Sequence, residues 1–313
     1  MARIVGVGAA FAVAALSAAP AFAQTPTLRV SHAAARVVIQ AENRADIAVS
    51  VSRGTSRLPP LTIRRDGGAV VVDGGLDTHS ISCGGGYSLT HLWGGIDHVR
   101  DTRRVKLAGV GWVNVSDLPV ITVHAPRAFA VSAGGAVWGD VGPSDALSLD
   151  AGGCGDWRIA AVRGKLSAHV AGSGDIQGET AGALDVSVAG SGDLTLHSIG
   201  GPAHVDLAGS GDVHLGAVAG AIDARLAGSG DLVADRVEGA VKAKLAGSSD
   251  MKINGGHAPQ LAVEIAGSGD FVFNGVAGSV SASVAGSGDI HVAHADGPVA
   301  KSVIGSGEIA IGR

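Results

Sequence analysis

Aromatic side chains make up only 3% of this 313-residue chain, it has two cysteines, and its 23 Lys and Arg are outnumbered by 28 Asp and Glu. Each shortage excludes something. With so few aromatics, the core has to be narrow and filled by aliphatic side chains, and a sugar-stacking groove has little to be built from. A net charge of -5 leaves no basic footprint for nucleic acid. Two cysteines with no Cys-x-x-Cys spacing do not make a zinc site. No Gly-Lys-Ser/Thr follows a glycine-rich turn, so phosphate loops are absent, and no Gly-x-Ser-x-Gly sits on a strand–helix elbow. Glycine is abundant, at 50 residues, but without the three-residue period of collagen. An apolar content of 46% and a mean hydropathy of +0.33 exclude a disordered chain. Beyond the first two dozen residues no run is long and apolar enough to span a bilayer, and no ten-residue alternating strands of a membrane barrel follow the last repeat.

What the chain does have is a repeat. Ala-Gly-Ser-Gly-Asp recurs about every 19 residues, with its acidic residue at Asp156, Asp175, Asp193, Asp212, Asp231, Asp250, Asp270, Asp289 and finally Glu308. A period this constant means one small unit stacked on copies of itself. Within one unit, Leu184, Val186 and Val188 alternate with Asp185 and Ser187, the period-2 pattern of a half-buried strand. Gly190-Ser191-Gly192 reads as a tight turn, and Leu194 and Leu196 begin a second strand. A unit of this length holds short strands and turns, with no room for a helix and its loops. The expectation is an all-β, right-handed parallel β-helix or β-solenoid with ~19-residue coils spaced ~4.8 Å apart. Position 249 is a test of the turn, because Ser249 stands where the other clear repeats have glycine. Either that slot needs positive φ and Ser249 is strained, or its glycine serves close packing and the coil is locally deformed.

Three segments follow. Residues 1–23 read as a signal peptide: Arg3, an apolar run, and Ala21-Phe22-Ala23 ahead of cleavage between Ala23 and Gln24. Residues 24–102 read as a non-repetitive β cap, with strands around Val37–Ile39, Ile47–Val51, Leu61–Ile63 and Val70–Val72 and a hairpin at Asp66-Gly67-Gly68. Residues 103–313 read as the solenoid. Its first two coils are degenerate: Leu107–Trp112 and Ser132–Val137 copy the repeat without its Asp. An exported chain with two cysteines points to one disulfide, Cys83 to Cys154, tying the cap to the first clear repeat.

Stacking would set one carboxylate every ~4.8 Å along a face, and neighbours at that spacing repel by about 0.9 kcal/mol in water. Something must offset the row. The preferred reading is that each Asp accepts hydrogen bonds from N–H groups of its own turn. The sharper alternative is a calcium ladder on Asp175, Asp193, Asp212, Asp231, Asp250, Asp270 and Asp289. A repeated row is a poor catalytic site, which needs a unique constellation, so no catalytic residue and no cofactor is assigned. His197, His204, His214, His257, His291 and His294 fall at scattered coil positions and read as solvated surface. Trp93, Trp112, Trp138 and Trp157 gather near the junction and read as packing residues.

The Gly-Ser-Gly-Asp repeat with its short apolar strands resembles the head GIN domain family of auto-transporter adhesins. So do Val37-Val38-Ile39, Ile47–Val51 and Leu118–Val123. The resemblance covers about residues 28 to 311, which makes 24–313 one continuous unit of that kind. It implies an exported, β-helical, non-enzymatic protein of the periplasm or surface of a Gram-negative bacterium, with no catalytic residues to carry over. The partner expected is an envelope or extracellular ligand, glycan or protein. The competing classes are a β-helical enzyme acting on polysaccharide and a purely structural envelope protein.

Overall fold

The computed structural model describes residues 25–77, 81–82 and 103–312, and nearly all of its regular structure is strand. It is a β-solenoid of about ten turns with coils about 19 residues apart. One coil shows how the sequence produces it. Ala203–Gly209 forms the first wall and Val213–Val218 the second, with Ser210-Gly211-Asp212 between them. Ala203, Val205, Leu207, Val213, Leu215 and Val218 point inward, none more than 2% exposed. The second wall breaks alternation after Leu215, with Gly216 buried and Ala217 exposed, so the strand bends there before Val218 returns to the core. Each strand pairs in parallel with its equivalents on either side: Leu207 with Leu226 and Val188, and Leu215 with Leu196 and Ala234. Six small aliphatic side chains per coil, each stabilising by about 1.5–3 kcal/mol when fully buried, give one continuous core from Leu28 to Ile309.

The N-terminal region departs from the expected cap. Strand β1 (Thr27–Glu42) is itself a coil of the stack, bent at its centre by a register shift between Val30 and Ala33. His32 at that corner has φ +51, and its Nδ1 lies 3.3 Å from Asp73 Oδ2. Without Gly-Ser-Gly-Asp, this coil has no repeat signature to read. The chain then makes β2 (Ala48–Ser52), β3 (Thr62–Asp66), β4 (Ala69–Asp73), β5 (Ile81–Ser82), β6 (Arg104–Leu107), β7 (Gly111–Asn114) and β8 (Val120–Pro126) before β9 (Ala128–Val141). β4 and β8 pair in parallel with one edge of β1, and β9 with the other. β2 then lies antiparallel on β8, and the wholly exposed β3 antiparallel on β4 through the expected Asp66-Gly67-Gly68 hairpin. Antiparallel strands thus close this end of the stack, which restrains edge pairing with other chains.

The coil expected at Leu107–Trp112 is instead an antiparallel hairpin: β6 and β7 pair across a turn in a separate small sheet with β5. Its Gly109 (φ +77) and Gly111 (φ +92) serve a reversal of the chain, which the repeat-like spelling does not distinguish from a solenoid corner. Ser132–Val137 does stack as expected, Ala133 on Ala151 and Ala136 on Cys154. A second, smaller hydrophobic cluster under the hairpin holds Val105, Leu107, Val113, Leu118, Ala136 and Cys154. Cys154 is buried there; Cys83, with Trp93 and the signal segment, lies outside the described residues.

The three tryptophans among the described residues part company. Trp157 is 1% exposed and packs over Gly139, Trp138 is half-buried against the smaller cluster, and Trp112 is 51% exposed on the hairpin. At the far end the last wall strand, Val299–Gly305, is largely exposed. Lys301 occupies the inward column there, paired with Ala282, and donates from Nζ to the Ile309 carbonyl at 2.9 Å. A charge pointing inward at a terminal strand discourages further strand addition.

Candidate functional site: the acidic ladder

At most corners three consecutive N–H groups point at the preceding coil, and the first two share one backbone carbonyl there. Ser210 and Gly211 both donate to the Gly190 carbonyl, at 3.0 and 3.3 Å. Ser229 and Gly230 share Gly209 in the same way, and Ser287 and Gly288 share Gly267. The third N–H, that of the Asp, has no carbonyl left. It donates to the Oδ1 of the Asp one coil below: Asp212 to Asp193 at 2.8 Å, Asp231 to Asp212 at 2.9 Å, Asp270 to Asp250 at 2.8 Å. The series runs unbroken from Asp175 on Asp156 to Glu308 on Asp289. The carboxylate therefore replaces a missing ladder carbonyl. Orphan N–H groups at a chain reversal are costly, and a charged acceptor satisfies them strongly. The expected hydrogen bonds to the carboxylates exist, but they join successive coils rather than closing each turn on itself.

The ladder has distinct ends. Asp156, the first member, accepts the Asp175 N–H at 3.3 Å on Oδ1 and pairs on Oδ2 with Arg103. Glu308 is the last member, and none of the described coils lies beyond it to require a short Asp acceptor. Asp175 sits between two carboxylates, and its pKa is displaced. Burial pushes it above its ordinary 3.8, the Asp193 N–H opposes this, and repulsion from Asp156 and Asp193 adds to it. A carboxyl with a raised folded-state pKa stabilises the fold below the ordinary value and loses that contribution as pH rises through the raised one. At pH 7 the charge on Asp175 is thus a net cost. Asp175→Asn should melt no lower than wild type at pH 7, and its advantage should shrink toward pH 3; thermal unfolding across that range checks it.

The glycines at the corner have two roles. From the Gly209 coil onward the first of each pair adopts positive φ, as in Gly209 (φ +157), Gly228 (φ +134) and Gly267 (φ +145). The second does not, but a Cβ on Gly230 would lie 2.1 Å from the Gly211 carbonyl oxygen. Close packing is therefore what the Ser249 slot requires. The corner leading to Ser249 is turned locally: Gly247 has φ +101, against +134, +145 and +143 at Gly228, Gly267 and Gly286. The Gly228 carbonyl there takes the Ser248 N–H at 2.9 Å. The Ser249 hydroxyl is buried without a partner among the described residues. Ser249→Ala removes that orphan and should raise stability by about 1 kcal/mol in urea unfolding.

Among the described residues no group of three or more His, Cys, Asp or Glu is gathered so that it could hold a metal ion. The ladder places its carboxylates in single file, with one oxygen of each taken by an N–H. The histidines are spread over the surface; His204 lies 3.1 Å from Asp206 and His294 2.9 Å from Asp296, each a pair with its own neighbour in sequence. The outer charges of the first wall compensate one another along the stack, as Lys165–Asp185, Arg225–Asp206 and Lys244–Glu264 show. Sequence reasoning located every member of the acidic row. It missed Arg103 as the terminus, for which the sequence carries no periodic signal.

Set against known families, the chain matches one named "Putative auto-transporter adhesin, head GIN domain" over residues 106–235 and again over 218–312. The chain belongs to the head GIN domain family. The two matches overlap on the coil of Ile222–Gly228 and together run from the β6–β7 hairpin to the last coil. A family profile that can be laid down twice on one chain reflects a repeat with no fixed register. No curated protein and no solved structure matches this head GIN domain chain. Among its described residues no helix is long and apolar enough to cross a membrane.

Proposed function

We propose that this protein is exported to the periplasm or surface of a Gram-negative bacterium and acts there by binding, as an adhesin-like or envelope-associated module that catalyses no reaction. Membership of the head GIN domain family over residues 106–235 and 218–312 carries this reading. The acidic row supports it in a negative way, since its carboxylates serve the stacking of coils. A solenoid holds its outward side chains on rigid strands, which suits recognition by an extended surface. Export rests on Arg3, the apolar run and Ala21-Phe22-Ala23, and makes Gln24 the first residue of the native protein. A Cys83–Cys154 disulfide goes with that location; denatured, unreduced protein should then show no titratable thiol.

The direct test incubates the mature protein with glycans and envelope fractions of its own cell type. Binding reading and enzyme reading part here: retention of one component without new reducing ends supports the first, and release of new sugar ends supports the second. Retention of nothing, with native protein that keeps Met1, would overturn both export and binding.

A further inference from the structure

We propose that a cavity at the capped end of the solenoid is a binding site for a small anionic amphiphile, a molecule with one apolar chain and one carboxylate. This site is separate from the acidic ladder and does not depend on the adhesin reading. The cavity measures about 450 Å³, within the ~300–1,000 Å³ of small-molecule sites. Val51, Leu58, Leu61 and the prolines 59, 60 and 119 form an apolar part of its lining, and Arg53, Gly54 and Ser56 the polar part. It lies where the two hydrophobic clusters meet, since Val51 and Leu61 pack on the main core and Leu58 on the smaller one. Junctions between packed units are where ligand cavities form most readily.

Two polar side chains line the cavity, one cationic and one a neutral hydroxyl. Arg53 lines it and has no carboxylate partner among the described residues. The Ser56 hydroxyl in the wall is buried without a hydrogen-bond partner there. A single cationic fork above an aliphatic pocket fits a molecule with one anionic head.

The walls are also held in place before any ligand arrives. Asp117 anchors the segment that carries them: its carbonyl accepts the Ser56 N–H at 3.1 Å, and its carboxylate accepts Thr55 Oγ1 at 3.0 Å and Asn114 Nδ2 at 2.9 Å. Gly54 lies so close beneath that a Cβ would sit 2.1 Å from the Asp117 carbonyl oxygen. Pro59-Pro60 stiffens the far side. A preformed cavity loses little conformational entropy on binding.

The experiment is isothermal titration of the full mature chain with decanoate below its micellar concentration, alongside decanol and decyltrimethylammonium. The site predicts saturable one-to-one binding of decanoate and weaker binding of decanol. Arg53→Gln should weaken decanoate about tenfold, the worth of one charge-assisted hydrogen bond, and leave decanol unchanged. Leu58→Trp, which fills the cavity, should abolish both, with circular dichroism and melting temperature confirming that each variant is folded. No saturable binding of decanoate would overturn the proposal. So would equal binding of the trimethylammonium probe, or an Arg53→Gln variant that binds decanoate as wild type does.

Discussion

Gly228→Ala is expected to destabilise the solenoid by about 3 kcal/mol or more, and by more than Gly230→Ala one position on. Two costs combine at Gly228. Its φ of +134 is one that an alanine adopts only under strain, and a Cβ there would lie 2.3 Å from the Gly209 carbonyl oxygen. Gly230 bears only the second cost. The chain itself shows that the second cost can be absorbed, because Ser249 occupies the equivalent slot with a local change of backbone angle at Gly247. Urea unfolding of the two variants orders them. Equal losses would mean that backbone conformation contributes nothing at the corner.

Trp157→Ala should cost about 3–5 kcal/mol, the range for emptying a large buried aromatic site. Trp157 is the largest fully buried side chain, and its ring covers the Cα of Gly139 one coil below. A Cβ on Gly139 would fall 2.1 Å from ring atom Cε3. The two positions are therefore coupled. Gly139→Ala alone should destabilise by about 2 kcal/mol, but should cost much less in a Trp157→Leu background, where the ring is gone. A double-mutant cycle measures the difference; additive losses would show that the ring and the glycine do not share one space.

How much of this was legible in the sequence depends on whether the signal was periodic. The coils from Ala203 to Gly305 could be drawn from the spacing of Val, Leu and Asp alone, because each inward column repeats the same residue types. The β1 coil was not legible: its corner is Ser31-His32-Ala33, and only pairing with β8 and β9 reveals it as a rung. Leu107–Trp112 failed in the opposite way. It spells the repeat, but neighbouring strands decide whether a Gly-x-Gly turn closes a hairpin or turns a solenoid corner. The carboxylates do accept backbone N–H groups, as expected, but the donor lies on the neighbouring coil and not in the same turn. A single repeat suggests a turn closing on itself; only the stack shows that two N–H groups take the one carbonyl of the preceding coil, so that the third turns to that coil's carboxylate.

The central claim is that the carboxylates act as ladder acceptors. Asparagine keeps the accepting oxygen and removes the charge; alanine removes both. The measurement that tests the claim most directly is thermal unfolding of Asp193, Asp212 and Asp231 replaced together, once by Asn and once by Ala, each with calcium and with chelator. The account predicts an Asn triple variant that melts within a few degrees of wild type. It predicts an Ala triple variant weakened by about 1 kcal/mol per site, and no response to calcium or chelator in any of the three proteins. A wild-type melting temperature that falls by many degrees on chelation, together with an Asn variant as weak as the Ala variant, would contradict it and make the row a metal ladder.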